Sequence, residues 1–385
     1  MSKVEELLEK YNPDGVPNKL LVECSLIDYG YPFTSSMFTD DSSYIPIIRI
    51  RDVKPGKAST YYMGNYSKEY IVKRGDILVG MDGEFNLEKW NDIDSLLNQR
   101  VARITEMPSK STKGYLYHIL GPIFKKIERE ISGGSVKHLS VKIINSISIP
   151  LPHIKVQEEI VKILDSFTNL IDSLNEELSL RQKQFEYYRE KLLTFDESNY
   201  VKISSICKRI VSGGTPKTTI DRYYQGNIPW LRTEEVDFCY VYETKKHISE
   251  EAIANSSTKM IPVNCVIIAM YGATAAKCCI NKIPLCTNQA CCNLEIDDTL
   301  ALYKFVFFNI CKEYEKLKSL GEGSQNNISG QKIKDYRIPI PSLAIQQSTV
   351  EKLDAFESLI SSLKEEIALR QKQYEYYREK LLTFD

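Results

Sequence analysis

Two stretches of the chain carry apolar residues at alternating spacings of four and three. The first runs Ile160, Leu164, Phe167, Ile171, Leu174, Leu178, Arg181, Phe185, Tyr188, Leu192. The second runs Thr349, Leu353, Phe356, Ile360, Leu363, Ile367, Arg370, Tyr374, Tyr377, Leu381. A mean period of 3.5 residues is that of a coiled-coil seam. Pro150-Leu151-Pro152 bars an earlier start to the first stretch and is compatible with a helix beginning just after it. Each helix should run about 40 residues, or roughly 60 Å at 1.5 Å per residue. One such helix cannot bury its seam alone, and the other is the simplest partner. A pseudo-twofold antiparallel pairing would place two globular heads at opposite ends of a rod. Arg181 and Arg370 would then fall near its middle and set the register. Parallel pairing, or pairing with another protein, fits the same pattern.

The chain repeats itself. Residues 181–196, RQKQFEYYREKLLTFD, face 370–385, RQKQYEYYREKLLTFD, with one difference, Phe185 against Tyr374. The same offset aligns IPLPHIKVQEEIVKILDSF (149–167) with IPIPSLAIQQSTVEKLDAF (338–356). It also aligns Gly134-Ser135 and Leu139-Ser140 with Gly323-Ser324 and Ile328-Ser329. Upstream only a skeleton survives: Ile45–Arg49 resembles Ile228–Arg232, Ile77–Gly83 resembles Val266–Gly272, and Asn98-Gln99 resembles Asn288-Gln289. Two heads free to differ are thus joined to tails that do not, as repeat architecture predicts when only one part is held to a shared task. A recent duplication of the tail alone would leave the same trace.

Within the heads, short β-branched runs bounded by Gly, Pro and Asn predict strands at Tyr44–Val53, Tyr70–Met81, Val201–Val211, Ile228–Val236 and Cys265–Tyr271. Helices are expected at Tyr115–Glu130 and Leu300–Ser319, stopped by Gly133-Gly134 and Gly321. The fold class expected is α+β, with strongly bent sheets.

Charge and cysteine narrow the chemistry. The net charge is −1, but residues 19–142 hold 18 Lys+Arg against 15 Asp+Glu, and 201–334 hold 17 against 13. Residues 153–199 hold 6 against 10. Mildly basic heads permit a polyanion partner, although a solvated surface looks the same. Of ten cysteines, nine lie between Cys207 and Cys311, with no Cys-x-x-Cys. They read as reduced, buried thiols, with a zinc site as the alternative. The charged N-terminus and the lack of an 18-residue apolar run lead to the expectation of a cytoplasmic protein without a membrane partner. No phosphate-binding loop, dinucleotide glycine motif or Asn/Asp-Pro-Pro-Tyr/Phe motif occurs, so no catalytic residues are assigned.

The clearest contact candidate is Ser212-Gly213-Gly214-Thr215-Pro216-Lys217. Its glycines would let backbone N–H groups approach a phosphate, with Thr215 and Lys217 as further donors; a plain turn has the same spacing. Tyr223-Tyr224 and Trp230 could stack on a ligand or fill the core. Gln99-Arg100 carries the side chains that pair bidentately with adenine and guanine edges, and a solvated surface pair is equally compatible.

VSGGTPKTTIDRYYQGNIPWLRTEEV (211–236), YPFTSSMF…YIPIIRIRDV (31–53) and RGDILVGMDGEFNLEKW…LLNQRVARI (74–104) resemble two varieties of target recognition domain of type I restriction–modification specificity subunits. The twice-repeated GS…S–IP-x-P–Gln–long-helix ending is similar to that family's constant regions. The resemblance implies an N-terminal constant segment (1–18), recognition domains at 19–150 and 200–339, and constant long helices at 151–199 and 340–385. Each head would read half of a bipartite duplex DNA site, with the helices as spacer. Two modification subunits would dock on the helices, and restriction subunits could join them. S-adenosylmethionine, ATP and Mg would belong to those partners, with no cofactor or metal on this chain. DNA contacts implied are Ser35, Ser36, Arg49, Arg51, Lys89, Gln99 and Arg100 in the first head. In the second they are Gly213, Gly214, Thr215, Lys217, Tyr223, Arg232, Tyr271 and Gln289. The first head lacks the Gly-Gly-Thr-Pro loop, so a phosphate loop is expected only in the second. A coiled-coil scaffold whose heads bind proteins is the rival reading.

Overall fold

The computed structural model describes residues 2–131, 137–322 and 327–384. The Gly133-Gly134 stop and the Gly134-Ser135 and Gly323-Ser324 matches lie outside them. The chain forms two compact units, Met1–Asn175 with Glu365–Asp385, and Glu176–Lys364. Both mix helix and sheet. Among the described residues, no helix is long and apolar enough to cross a membrane.

The two periodic stretches are helices of 39 and 40 residues, the central tail helix Ile154–Leu192 and the distal tail helix Leu343–Leu382. Each unit holds the first half of one and the second half of the other. In the first unit Ile160, Leu164 and Ile171 share a core with Tyr374 and Leu382. There Phe167 stacks on Tyr377 at 5.2 Å and 18°. In the second unit Val350 and Leu353 are core, with Phe185 and Leu192 packed against it, and Tyr188 stacks on Phe356 at 5.4 Å and 22°. No expected seam position is exposed. Arg181 and Arg370 keep to their own helices: Arg181 Nη2 lies 3.3 Å from Glu177, and Arg370 Nε lies 2.7 Å from Glu366.

In the first unit, Asn18–Leu20 pairs antiparallel with Ser148–Pro150 just before the central tail helix. A four-stranded antiparallel sheet follows the order Ser25–Tyr29, Val101–Glu106, Ile77–Gly80, Leu87–Lys89. A smaller five-stranded sheet carries Ile45–Ile48 parallel to Ser95–Leu97. The head helix Lys113–Glu130 packs Tyr115, Leu116, Leu120 and Phe124 into the core. In the second unit, Tyr200–Lys202 pairs with Arg337–Pro339. A five-stranded sheet runs Cys207–Ser212, Cys291–Ile296, Val266–Ala269, Cys278–Asn281, Cys239–Val241. Trp230-Leu231 lies parallel to Cys286-Thr287, and the head helix is Tyr303–Lys312.

Several expected strands are interrupted, each with a local cause. Tyr44–Val53 is strand only over Ile45–Ile48, because Asp52 accepts the Arg49 N–H and turns Ile50–Val53 into a helical turn. Ile228–Val236 breaks after Leu231 in the same way, with Glu235 accepting the Arg232 N–H. Tyr70–Met81 is two strands around Gly75, whose φ is +90°. Val201–Val211 is divided by a 3-10 turn at Ile203–Ile206, and Cys265–Tyr271 is strand over Val266–Ala269. Leu300–Ser319 splits at Glu313 into two helices. All ten cysteines are free thiols, seven of them buried. Burial pushes Cys286 up to about 11 and Cys292 up to about 12, so they behave as small apolar residues.

One buried side chain fixes each head to the root of its tail helix. Gln157 is fully buried; its amide donates to the carbonyls of Lys110 (2.9 Å) and Pro152 (2.8 Å) and its oxygen accepts the Thr112 N–H at 2.9 Å. Gln346 repeats this with Leu300 O (3.2 Å), Pro341 O (2.8 Å) and Leu302 N (2.9 Å). Replacing either by leucine leaves three backbone groups without this partner, at about 1–3 kcal/mol for each that stays buried and unpaired. Gln157→Leu should lower the stability of the first unit and Gln346→Leu that of the second, each resolved by peptide-level hydrogen exchange in urea.

Candidate nucleic-acid interface

Both heads build the same rim from four turns. In the first head, Gly30 N donates to Val101 O and Tyr31 N to Leu97 O, both at 3.0 Å. In the second, Gly213 N donates to Cys291 O (3.2 Å) and Gly214 N to Thr287 O (2.9 Å). Next to this turn stands Asn98–Arg100 in one head and Asn288–Ala290 in the other. The turns that follow Met81 and Met270 stand beside it, the Met81 N–H reaching Arg100 O and the Met270 N–H reaching Ala290 O, each at 2.8 Å. The Arg49 and Arg232 turns complete the rim. The parallel pairing of Ile48 with Leu97 brings Arg49 beside Asn98, and Asn288 N bonds Leu231 O at 3.0 Å next to Arg232.

This geometry corrects two expectations. The N–H groups of Gly213 and Gly214 are already spent on backbone carbonyls, and the Gly214 carbonyl accepts the Trp230 indole at 3.1 Å. The glycines serve close packing: a Cβ on Gly213 would lie 2.2 Å from Asn288 O, and one on Gly214 would lie 2.4 Å from Thr258 N. The first head does have the equivalent turn, at Gly30-Tyr31, where a Cβ on Gly30 would lie 1.9 Å from Asn98 O. Sequence reasoning missed it because the second glycine is a tyrosine. Aligning Asn98-Gln99 with Asn288-Gln289 was the signal that could have found it.

Two further candidates sit elsewhere. Lys89 lies at the tail root, with its ammonium 4.6 Å over the Tyr117 ring and 3.9 Å from Asp165. Tyr223 is buried in a small core with Trp230, Ile248 and Cys286; both aromatic rings pack rather than face solvent.

The remaining candidates line the rim or its flanks. Gln99 and Arg100 are exposed, and Arg100 holds a left-handed φ of 72°, costly for a residue with a Cβ. Its Nε lies 3.5 Å from Asp82, which also meets His138 Nδ1 at 2.5 Å. Tyr31 is exposed and leans on Phe33 and Tyr70. Tyr31, Asp82 and His138 escaped the sequence reading because only folding gathers them around Arg100. In the second head the Thr215 hydroxyl donates to the Gln289 side-chain oxygen. Thr274 Oγ1 bonds Thr233 O at 2.8 Å and ties the turn after Tyr271 to the turn after Arg232. Tyr271, Gln289 and Lys217 are exposed. Arg49 and Arg232 are half-buried, and each keeps a buried Nε with no partner. Ser35 and Ser36 form an exposed 3-10 turn, and Arg51 reaches Thr60 Oγ1 at 3.5 Å. Among the described residues no group of His, Cys, Asp and Glu is arranged to hold a metal. The rim therefore offers hydrogen-bonding and cationic side chains on rigid turns, suited to reading a polar surface.

The family model described as the Type I restriction modification DNA specificity domain matches residues 26–180 and again 196–369. The chain is 30% identical to a type I restriction enzyme specificity subunit of Escherichia coli, over 100% of this chain and 97% of that one. It is 29% identical to a putative specificity subunit of Haemophilus influenzae, over 84% and 88%. Among solved structures, the type I restriction–modification S subunit of M. genitalium superposes with a TM-score of 0.61 at 14% identity, covering 95% of this chain and 96% of that one.

Gly30→Ala and Gly213→Ala should each destabilise their own head by about 2 kcal/mol or more, since the Cβ meets backbone rather than a movable side chain. Trp90 and Trp230, the two tryptophans, lie one in each head. Urea unfolding read by fluorescence in single-tryptophan backgrounds checks that the loss is confined to the altered head.

Proposed function

The chain belongs to the type I restriction modification DNA specificity family, and we propose that its heads, residues 19–150 and 200–339, each read one half of a bipartite duplex DNA site. As a specificity subunit it is not itself the catalyst; the chemistry lies on partner subunits. The observation that carries the reading is the contrast between rim and tail. The same four turns present Tyr31, Gln99 and Arg100 in one head and Thr215, Tyr271 and Gln289 in the other, while residues 181–196 and 370–385 of the tails differ at one position. A recognition scaffold with exchangeable side chains suits base-edge reading, which requires different donors and acceptors for different bases.

In this reading the segments 151–199 and 340–385 form an antiparallel coiled coil of pseudo-twofold symmetry, and 1–18 completes the constant region at its far end. The Phe167–Tyr377 and Tyr188–Phe356 stacks support it, because both pairs obey one antiparallel register. The rod fixes the number of unread base pairs between the half-sites. Two copies of one partner, the modification subunit, dock on the tails. Support comes from twin exposed apolar pairs one heptad apart, Leu180 with Tyr187 and Leu369 with Tyr376. S-adenosylmethionine is held by those partners, and ATP and Mg by restriction subunits that join them.

Footprinting of the chain with its modification partner on random-sequence duplex tests the whole; one continuous footprint, or none, would end the proposal. Removing one heptad from each tail shortens the rod by about 10 Å. The preferred spacer should fall by about three base pairs with both half-site sequences unchanged. Lys217→Ala should weaken binding similarly on all sequences and flatten the salt dependence, as loss of a phosphate contact does. Gln99→Ala or Arg100→Ala should instead relax preference in one half-site, at about 1–3 kcal/mol per lost bidentate pair. Selection of bound sequences separates these outcomes.

A further inference from the structure

The single difference between residues 181–196 and 370–385 of the tails falls where each meets a differently built head. In the first unit the Tyr374 hydroxyl lies 2.9 Å from His118 Nδ1, and His118 Nε2 lies 2.8 Å from Asp165 Oδ1. His118 is 1% exposed and Tyr374 7%. Burial holds His118 below the ordinary imidazole range, against the pull of Asp165. A neutral ring satisfies all three groups in one way: Nε2–H donates to Asp165 and Nδ1 accepts the Tyr374 hydroxyl.

The second unit has the same frame with another filling. Thr112 and Leu302 are the residues whose N–H groups bind Gln157 and Gln346. Six residues on from each stand His118 and Phe308. Phe185 takes the place of Tyr374 and lines a cleft of about 280 Å³ with Phe307, Phe308, Phe238 and Cys311. Arg378 lies 5.1 Å over the Tyr374 ring, as Arg189 lies 5.6 Å over Phe185. Asp354 corresponds to Asp165. Lys304 holds its Oδ2 at 2.6 Å, but its buried Oδ1 has no partner. The heads thus differ as the tails do, a histidine for a tyrosine and a phenylalanine for a phenylalanine.

We propose that the Tyr374 hydroxyl is a recognition key by which the first head accepts the distal tail and refuses the central one. Fifteen of the sixteen residues in 181–196 and 370–385 coincide, so the seam itself sorts the two poorly. A phenylalanine set against His118 leaves a buried ring nitrogen without its donor. A tyrosine in place of Phe185 must fit its hydroxyl into a cleft where Phe307, Phe308 and Phe238 stand beside Arg189 and Glu357, a milder mismatch. The missing donor at His118 is therefore the stronger bar to the wrong pairing, including pairing of like tails between two copies of the chain. The key acts on assembly and is independent of what the heads read.

The test is an isomeric chain, Phe185→Tyr with Tyr374→Phe, which keeps the composition and inverts both matches. In the whole chain, hydrogen exchange should quicken about tenfold in 113–130 and by a smaller factor in 303–312. Adding His118→Phe and Phe308→His to the same chain restores both matches, the new histidine finding Asp354 Oδ1, and should return exchange to within about threefold of the starting protein. Tyr374→Phe alone, the mildest change, should quicken 113–130 and leave 303–312 untouched. Unaltered exchange in the isomeric chain, no recovery in the fourfold variant, or equal effects of Tyr374→Phe on both helices would each overturn the proposal.

Discussion

A helix of 39 residues with leucine, isoleucine and aromatic rings along one side cannot leave that stripe in water. Burying one leucine is worth about 1.5–3 kcal/mol, and the stripe repeats it at every heptad. The rest of the architecture follows from this constraint. Each unit of the chain meets it in the same way, by bringing the start of one tail helix against the end of the other. Phe167 on Tyr377 and Tyr188 on Phe356 are the same contact made twice.

The heads are fastened to these helices through polar groups rather than apolar area alone. Gln157 and Gln346, both fully buried, each close three backbone hydrogen bonds. Such a group is costly to leave unmatched, so it fixes geometry more sharply than a leucine of similar volume. The start of the head helix, the proline-rich turn and the first turn of the tail are thereby held as one piece. The short strand pairs Asn18–Leu20 with Ser148–Pro150 and Tyr200–Lys202 with Arg337–Pro339 stand beside the same junctions.

On that foundation the rim can vary without disturbing the fold. Its turns are held by backbone hydrogen bonds and by close glycine contacts at Gly30 and Gly213, none of which needs a particular exposed side chain. Exposed positions such as Tyr31, Gln99, Arg100, Tyr271 and Gln289 are free to change. Such a separation of scaffold from exposed side chains suits a DNA specificity domain.

The sequence by itself determined the two long helices, their seams, the duplication and the lack of a catalytic motif, because these are periodic or local and can be read without knowing what touches what. It also named Gln99-Arg100 and Lys217 as contact candidates, and all three are exposed. It could not place Gly213-Gly214, Tyr223 and Lys89, whose surroundings come from neighbours 25 or more residues away: Thr287 and Cys291 for the glycines, Ile248 and Cys286 for Tyr223, Asp165 and Tyr117 for Lys89. Only the tertiary structure decided that Gly30-Tyr31 is the counterpart of the Gly-Gly turn, and that Asp82, Arg100 and His138 form a cluster. It alone showed that Tyr374 of the distal tail meets His118. Hydrogen bonds and close approaches are relations between distant residues, and a linear pattern records a residue's own propensity but not its partner.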